Sequence, residues 1–153
     1  MEVQREPLQP FHMVNQVRLS LDKRMQDKGI LLRNELSPTR SINADVALFR
    51  EVLFNLLSNA VKFCRSGDTV TVREGKDGTI EINDTGTGID DRLLPHLFEK
   101  EKKTSTLGTE GEPGTGLGLP LCKDIMVAHG GDITVISEPQ KGSSFFLHFP
   151  IEQ

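Results

Sequence analysis

The stretch "REVLFNLLSNAVKFC" (residues 50–64) reads as one helix, yet it holds Asn55 and Asn59 a turn apart in its interior. Asparagine is a poor interior helix former, costing roughly 0.5 kcal/mol or more against alanine at each position. At about 100° per residue, Glu51, Asn55, Asn59 and Lys62 fall within an arc of roughly 80°, while Val52, Leu53, Leu56, Leu57, Ala60, Phe63 and Cys64 fill the opposite side. The helix therefore packs against a core and keeps one narrow polar stripe. That stripe is either a solvated face or a ligand face. Lys, Glu or Gln would serve a solvated face better. An amide oxygen, by contrast, is a hard donor that suits Mg²⁺, an ion usually held by one or two protein oxygens together with substrate phosphates and waters. Lys62 could meet the same phosphates as a point charge.

Around this helix the chain has 153 residues, 36% hydrophobic and 26% charged, which is the composition of one ordinary globular domain. A chain of this length buries about two thirds of its unfolded surface, enough for a core without disulfides or metal. The net charge of −4 speaks against nucleic acid or an anionic membrane as the main partner. Cys64 and Cys122 stand far apart in apolar helical contexts and read as core fillers. No apolar run near the start is long enough for a signal or a membrane span, so the expected compartment is the cytoplasm, including the cytoplasmic part of a membrane-bound sensor.

Residues 1–9 read as a leader or boundary remnant, and residues 10–153 as one domain. Phe11, Val14, Val17, Leu21 and Met25 recur at helical spacing up to Gly29, a C-terminal stop. "ILLRNEL" (30–36) is a predicted strand, and Asp45 a predicted N-cap for the asparagine-bearing helix. "TVTVRE", "GKDG" and "TIEIND" spell a β-hairpin. A short helix is expected around "DDRLLPHLF", a helix over "LGLPLCKDIMVAHGG", and a last antiparallel pair in "DITVISE" and "SFFLHFP". Residues 99–116 carry no periodic apolar signal, and an aperiodic stretch of that length is functional or disordered. The order predicts a mixed sheet with helices on one face.

Two glycine-rich stretches accompany the helix. "DTGTGI" (84–89) closes a predicted strand. It is either a plain turn or a place where Gly86 and Gly88 let the backbone approach a flat ligand, with the Asp84 carboxylate accepting from an amino group. "GEPGTGLGLPL" (111–121) runs into a helix whose first amides would be free to hold an anion. It is neither a Walker A loop nor a dinucleotide fingerprint.

In this order, "NLLSNAVKF", "DTGTGI", "LFEK", "GTGLGL" and "KGSSF" closely resemble the N, G1, F, G2 and G3 boxes of the catalytic ATP-binding domain of sensor histidine kinases, in the GHKL superfamily. The likeness runs from about Phe11 to Pro150. It implies an α/β, two-layer sandwich of Bergerat type: a mixed β-sheet, helices on one face and a flexible ATP lid over about 99–116. The implied cofactors are ATP and Mg²⁺. Asn59 would be the Mg²⁺ ligand, with Asn55 and Lys62 at the phosphates as the catalytic pair. Asp84 would read the adenine amino group, beside Gly86, Gly88 and Ile89. Phe98 would set the base of the lid. Lys102 or Lys103 would take the place of a lid arginine, and Thr115, Gly116, Leu117, Gly118 and Leu119 would line the triphosphate. The sequence departs from the pattern at Glu101, where many members have a second Phe, and at Gln140, where the last box begins with Gly. "KGSS" is therefore expected to be a turn.

In hydrolysing members, and in the related serine kinases, a glutamate four residues before the metal-binding asparagine acts as general base. Here that position is Asn55, which cannot take a proton at neutral pH. A histidine acceptor needs no base, since neutral imidazole is already nucleophilic. The implied reaction is γ-phosphoryl transfer to a histidine. His12, His96, His129 and His148 are not followed by Glu or Asp as acceptor histidines of the family usually are, and His129 reads as a cation at a helix C-terminus. About ten residues precede the first helix, so an excised domain is expected. Its partners would be the dimerisation and phosphoacceptor domain of the same kinase and a response regulator, with no nucleic acid and no direct membrane contact. The alternative is a regulatory nucleotide-binding module without phosphotransfer.

Overall fold

The computed structural model describes residues 1–100, 108–112 and 118–150. Helix α1 (Pro10–Lys28) starts on proline, whose missing N–H is no loss in a first turn, and stops at Gly29 with φ 74°. The Gly29 amide donates to Gln26 O and the Ile30 amide to Met25 O, the paired bonds of a Schellman stop. Its inner stripe is Met13, Val14, Val17, Leu21 and Met25. Strands β2 (Leu31–Asn34) and β3 (Ile42–Ala44) follow, and then α2 (Val46–Phe63). The Asp45 carboxylate caps α2 by accepting from the Leu48 amide at 3.0 Å.

The hairpin of β4 (Thr69–Glu74) and β5 (Ile80–Asp84) turns through Lys76–Gly78, closed by the Gly75 amide on Thr79 O, with positive φ at Asp77 and Gly78 (57° and 78°). Helix α3 (Gly118–Ala128) leads into the antiparallel pair β6 (Asp132–Glu138) and β7 (Gly142–His148). These strands form one sheet in the order β2-β4-β5-β7-β6, parallel at β2–β4 and antiparallel elsewhere. Along β5, Ile80, Ile82 and Asp84 point into the core while Glu81 and Asn83 point away. On that outer face Arg73 grips Glu81 with two hydrogen bonds, and Ser144 donates to the same carboxylate. The mixed sheet with helices on one side is therefore as expected. Val52, Leu53, Leu56, Leu57 and Val61 of α2 are wholly buried between the sheet and the other two helices.

Three local expectations change. Part of the stretch read as a leader is folded: β1 (Glu6–Leu8) pairs antiparallel with β3, and Leu8 is buried. Pro7 is tolerated because this ribbon has only two strands, leaving an outer edge with no ladder to feed. The "DDRLLPHLF" segment makes turns and a single 3₁₀ turn at Leu94–His96, since Pro95 cannot donate to a longer helix. His129, expected to meet the helix dipole as a cation, is buried and bonded to backbone at both ring nitrogens. Its Nδ1 donates to Ile125 O at 2.8 Å and its Nε2 accepts from the Asp45 amide at 2.9 Å, tying the end of α3 to the start of α2. Cys64 and Cys122 are both buried free thiols, pushed up to about 12 by burial. Among the described residues, no helix is long and apolar enough to cross a membrane.

Leu57→Ala should lower unfolding free energy by about 2–5 kcal/mol, because a fully buried leucine leaves a cavity. Leu19→Ala, at an exposed position of α1, should change it by less than about 0.5 kcal/mol in the same urea titration.

Candidate functional site

The polar stripe of α2 faces the start of α3. The Asn55 Nδ2 donates to Glu51 O at 2.8 Å and to Glu51 Oε1 at 3.1 Å. Both partners can only accept, so the amide orientation is settled and Oδ1 is turned the other way. It points at α3, where a Cβ built on Gly118 would lie 2.7 Å from that oxygen. The missing side chain of Gly118 thus lets the first turn of α3 come against the Asn55 oxygen. Asn59, one turn on and half-buried, has no hydrogen bond to a described residue. The Lys62 ammonium lies 4.9 Å from the Phe63 ring centroid, and burial lowers its pKa against the opposing pull of Glu112.

Asp84 ends β5 with only 5% of its surface exposed. Burial pushes its carboxyl up to about 6; backbone hydrogen bonds from Gly86 and Ser143 oppose this, and the charge of Asp68 adds to it. Its Oδ1 accepts from the Gly86 amide at 3.0 Å. The loop beyond is pinned at both ends. The Thr87 amide donates to Phe63 O at 3.1 Å, and the Gln140 amide donates to Thr87 O at 2.6 Å.

The space that Gly86 and Gly88 leave is filled by the chain itself. A Cβ on Gly86 would collide with the Phe63 carbonyl, and one on Gly88, whose φ is 72°, with the Glu138 carbonyl. Their first role is close packing of backbone on backbone. Gly142 does the same: with φ 112°, a Cβ there would collide with the Asp84 carbonyl. "KGSS" was expected to be a turn, but only Lys141 belongs to the turn; Gly142, Ser143 and Ser144 open β7 and press directly on the strand carrying Asp84.

The Ile89 amide donates to Ser137 Oγ at 2.8 Å, and Ser137 Oγ lies 3.0 Å from Ser143 Oγ. Ser137, Ser143 and Gly142 therefore tie the 84–89 loop to the β6–β7 hairpin beside Asp84. Neither serine was singled out from the sequence: Ser137 sits in an ordinary strand alternation, and Ser143 lies in "KGSSF", which was expected to be only a turn. Phe98 stands edge-on to Phe145 at 6.4 Å, under the Lys123 ammonium. Leu119 packs on the core. Asn55 and Gly118 meet at the junction of α2 and α3, with Asn59 one turn further along α2 and Leu119 next to Gly118 on the core, while Asp84, Gly86, Gly88 and Ile89 form the end of β5 and the loop after it. Lys102, Lys103, Thr115, Gly116 and Leu117 lie outside the described residues.

Residues 44–153 match the family described as histidine kinase-, DNA gyrase B-, and HSP90-like ATPase. The chain belongs to this family. Over 142 residues it is 32% identical to the sensor protein SrrB of Staphylococcus aureus, in a match covering 90% of this chain and 24% of that protein. The chain thus spans about a quarter of the length of the curated relatives it matches. The catalytic domain of histidine kinase ThkA shares the fold with a TM-score of 0.78 at 22% identity, covering 98% of this chain and 96% of that one. The mycobacterial sensor histidine kinase MprB does so with a TM-score of 0.78 at 23% identity, covering 97% and 100%. ShkA, solved full-length in complex with AMPPNP, matches with a TM-score of 0.74 at 27% identity, over 95% of this chain and 31% of that one. Within the ATPase-family domain, the buried carboxylate, the unbonded amide and the α3 N-terminus are a donor and acceptor set that suits a purine amino group, a hard cation and phosphates, so a Mg²⁺-nucleotide fits the residues present.

The carboxyl of Asp84 has a folded pKa above the ordinary value of 3.8. The native state then holds the extra proton between about pH 4 and pH 6, and its contribution to stability is complete below pH 4 and lost as pH rises through 6. Asp84→Asn should remove that slope and raise the stability of the nucleotide-free domain at pH 7 by roughly 1–3 kcal/mol. Urea unfolding of both proteins at pH 4.5 and pH 7 checks this, and a wild-type protein no less stable at the higher pH would contradict it.

Proposed function

We propose that this domain binds Mg²⁺·ATP across the α2–α3 junction and passes the γ-phosphoryl group to a histidine on a separate dimerisation domain. The observation that carries the reading is the α2 stripe. Asn59 is an unbonded amide on a helix whose neighbouring asparagine already turns its oxygen toward the α3 N-terminus. Asn59 would give its oxygen to the metal, Lys62 its charge to the phosphates, and Asp84 would accept from the adenine amino group. Lys103, Thr115, Gly116 and Leu117 would complete the phosphate cradle with Gly118 and Leu119. ATP supplies the phosphoryl group.

The chain's own share of the chemistry is placement and charge neutralisation, as in phosphoryl transfer generally. The Asn55 amide cannot take a proton from water or from a serine. Glu51, which could, lies one turn before Asn55, level with Cys122 rather than with the N-terminus of α3, and spends one carboxylate oxygen on Asn55 Nδ2. A neutral imidazole needs no such base, which favours a histidine acceptor over hydrolysis. The AMPPNP complex of ShkA supports a triphosphate as the ligand, and the sensor proteins among the relatives support a response regulator as the downstream partner.

Incubation with labelled ATP, Mg²⁺ and the matching dimerisation hairpin should place acid-labile label on the hairpin histidine, with negligible phosphate release by this domain alone. Tight ATP binding without transfer would instead make it a regulatory nucleotide-binding module. Asn59→Ala should abolish the Mg²⁺-dependent part of ATP affinity in calorimetry; affinity unchanged with and without Mg²⁺ would remove Asn59 as ligand.

A further inference from the structure

Lys28, the last residue of α1, is buried. Its ammonium donates to Val61 O at 2.8 Å, to Lys62 O at 2.9 Å and to Glu112 Oε2 at 2.7 Å, which engages all three of its hydrogens. Two of these bonds cap the end of α2. The third reaches residues 108–112, "GTEGE", which form a turn of their own. There the Gly108 amide donates to Glu112 O at 2.9 Å, the Gly111 amide to Gly108 O at 3.0 Å, and the Glu110 amide to Glu112 Oε1 at 2.7 Å.

That turn is seated on α2 as well. The Thr109 amide donates to Lys62 O at 3.1 Å and its hydroxyl to Cys64 O at 2.6 Å. Gly108 lies so close over Lys62 that a Cβ would be 2.6 Å from Lys62 Cγ and 2.7 Å from Lys62 O. The stem of Lys62 is thus covered by Gly108 while its ammonium lies against Phe63. Burial pushes the Glu112 carboxyl up, but the hydrogen bonds from Lys28 and the Glu110 amide outweigh it and hold the group ionised, opposite a buried cation. A connecting loop has no need of a desolvated ion pair, which is costly unless its geometry is fully bonded, as it is here.

We propose that Lys28 and Glu112 are positioning residues for nucleotide phosphates: their ion pair holds the 108–112 turn on the end of α2 and so fixes the direction of the Lys62 side chain. This rests on the reading of Lys62 as a phosphate contact. Lys28 caps α2 whether or not Glu112 is present, so Glu112 separates the positioning role from the capping one. Gly108→Ala separates them a second way, because it lifts the turn off Lys62 and leaves every charge in place.

The test is competition of a fluorescent nucleotide by Mg²⁺·ATP and by adenosine, on the full chain, for wild type, Glu112→Ala, Gly108→Ala and Lys62→Met. Hydrogen exchange at the Thr109 amide is read alongside. Glu112→Ala and Gly108→Ala should each weaken ATP by about tenfold. They should leave adenosine unchanged and speed exchange at Thr109 without speeding it in the α2 core. Equal weakening of ATP and adenosine would reduce the pair to a structural prop and overturn the proposal. So would loss of ATP affinity in Lys62→Met with none in Glu112→Ala or Gly108→Ala. Unchanged ATP affinity in Lys62→Met would overturn the reading of Lys62 itself, and the proposal with it.

Discussion

The C-terminal end of α2 is the constraint on which the rest of the site depends. The last carbonyls of any helix lack intrahelical partners and, inside a protein, must find donors elsewhere. Here three separate segments supply them. Lys28 from α1 serves Val61 O and Lys62 O, the 84–89 loop serves Phe63 O through Thr87, and the 108–112 turn serves Lys62 O and Cys64 O through Thr109. The 84–89 loop and the turn covering Lys62 are thus fastened to the same few atoms. The cost of an unsatisfied buried carbonyl keeps them there. Because α2 is buried along the whole opposite face, this anchor does not shift relative to the sheet.

The residues proposed to bind the nucleotide sit where local stability is given up. Asn55 and Asn59 occupy helix positions that alanine or leucine would fill better, and Asp84 is an acid buried without a cationic partner. Each offers one polar atom that the folded chain does not fully use. The glycines work differently. Gly86, Gly88 and Gly142 allow backbone to pack directly on backbone, so the rigidity of the Asp84 floor comes from close contact rather than from side-chain packing.

Much of the fold was legible because it rests on local chemistry. The 3.6-residue period of Val14, Val17, Leu21 and Met25, the stop at Gly29, the Asp45 cap and the Asp77-Gly78 turn each fix a few residues through short-range sterics and hydrogen bonds, so the strings of letters suffice. The same holds for the α2 stripe and for Gly118. What was not legible depends on partners distant in the chain. Residues 6–8 look like a leader until β3 is beside them, and nothing near His129 in the chain announces its bond to the Asp45 amide, 84 residues away. Ser137 and Ser143 are ordinary strand residues until the 84–89 loop lies over them.

By itself, then, the sequence determined which side chains could bind a metal, a base or a phosphate, since identity and helical spacing are properties of the chain. Only the tertiary structure decided what fills the gaps left by Gly86 and Gly88, and that Lys28 and Glu112 meet at all, 84 residues apart. The physical reason is that a close approach or a buried ion pair is decided by desolvation and by the atoms facing it. Those are set by how the helices lie on the sheet.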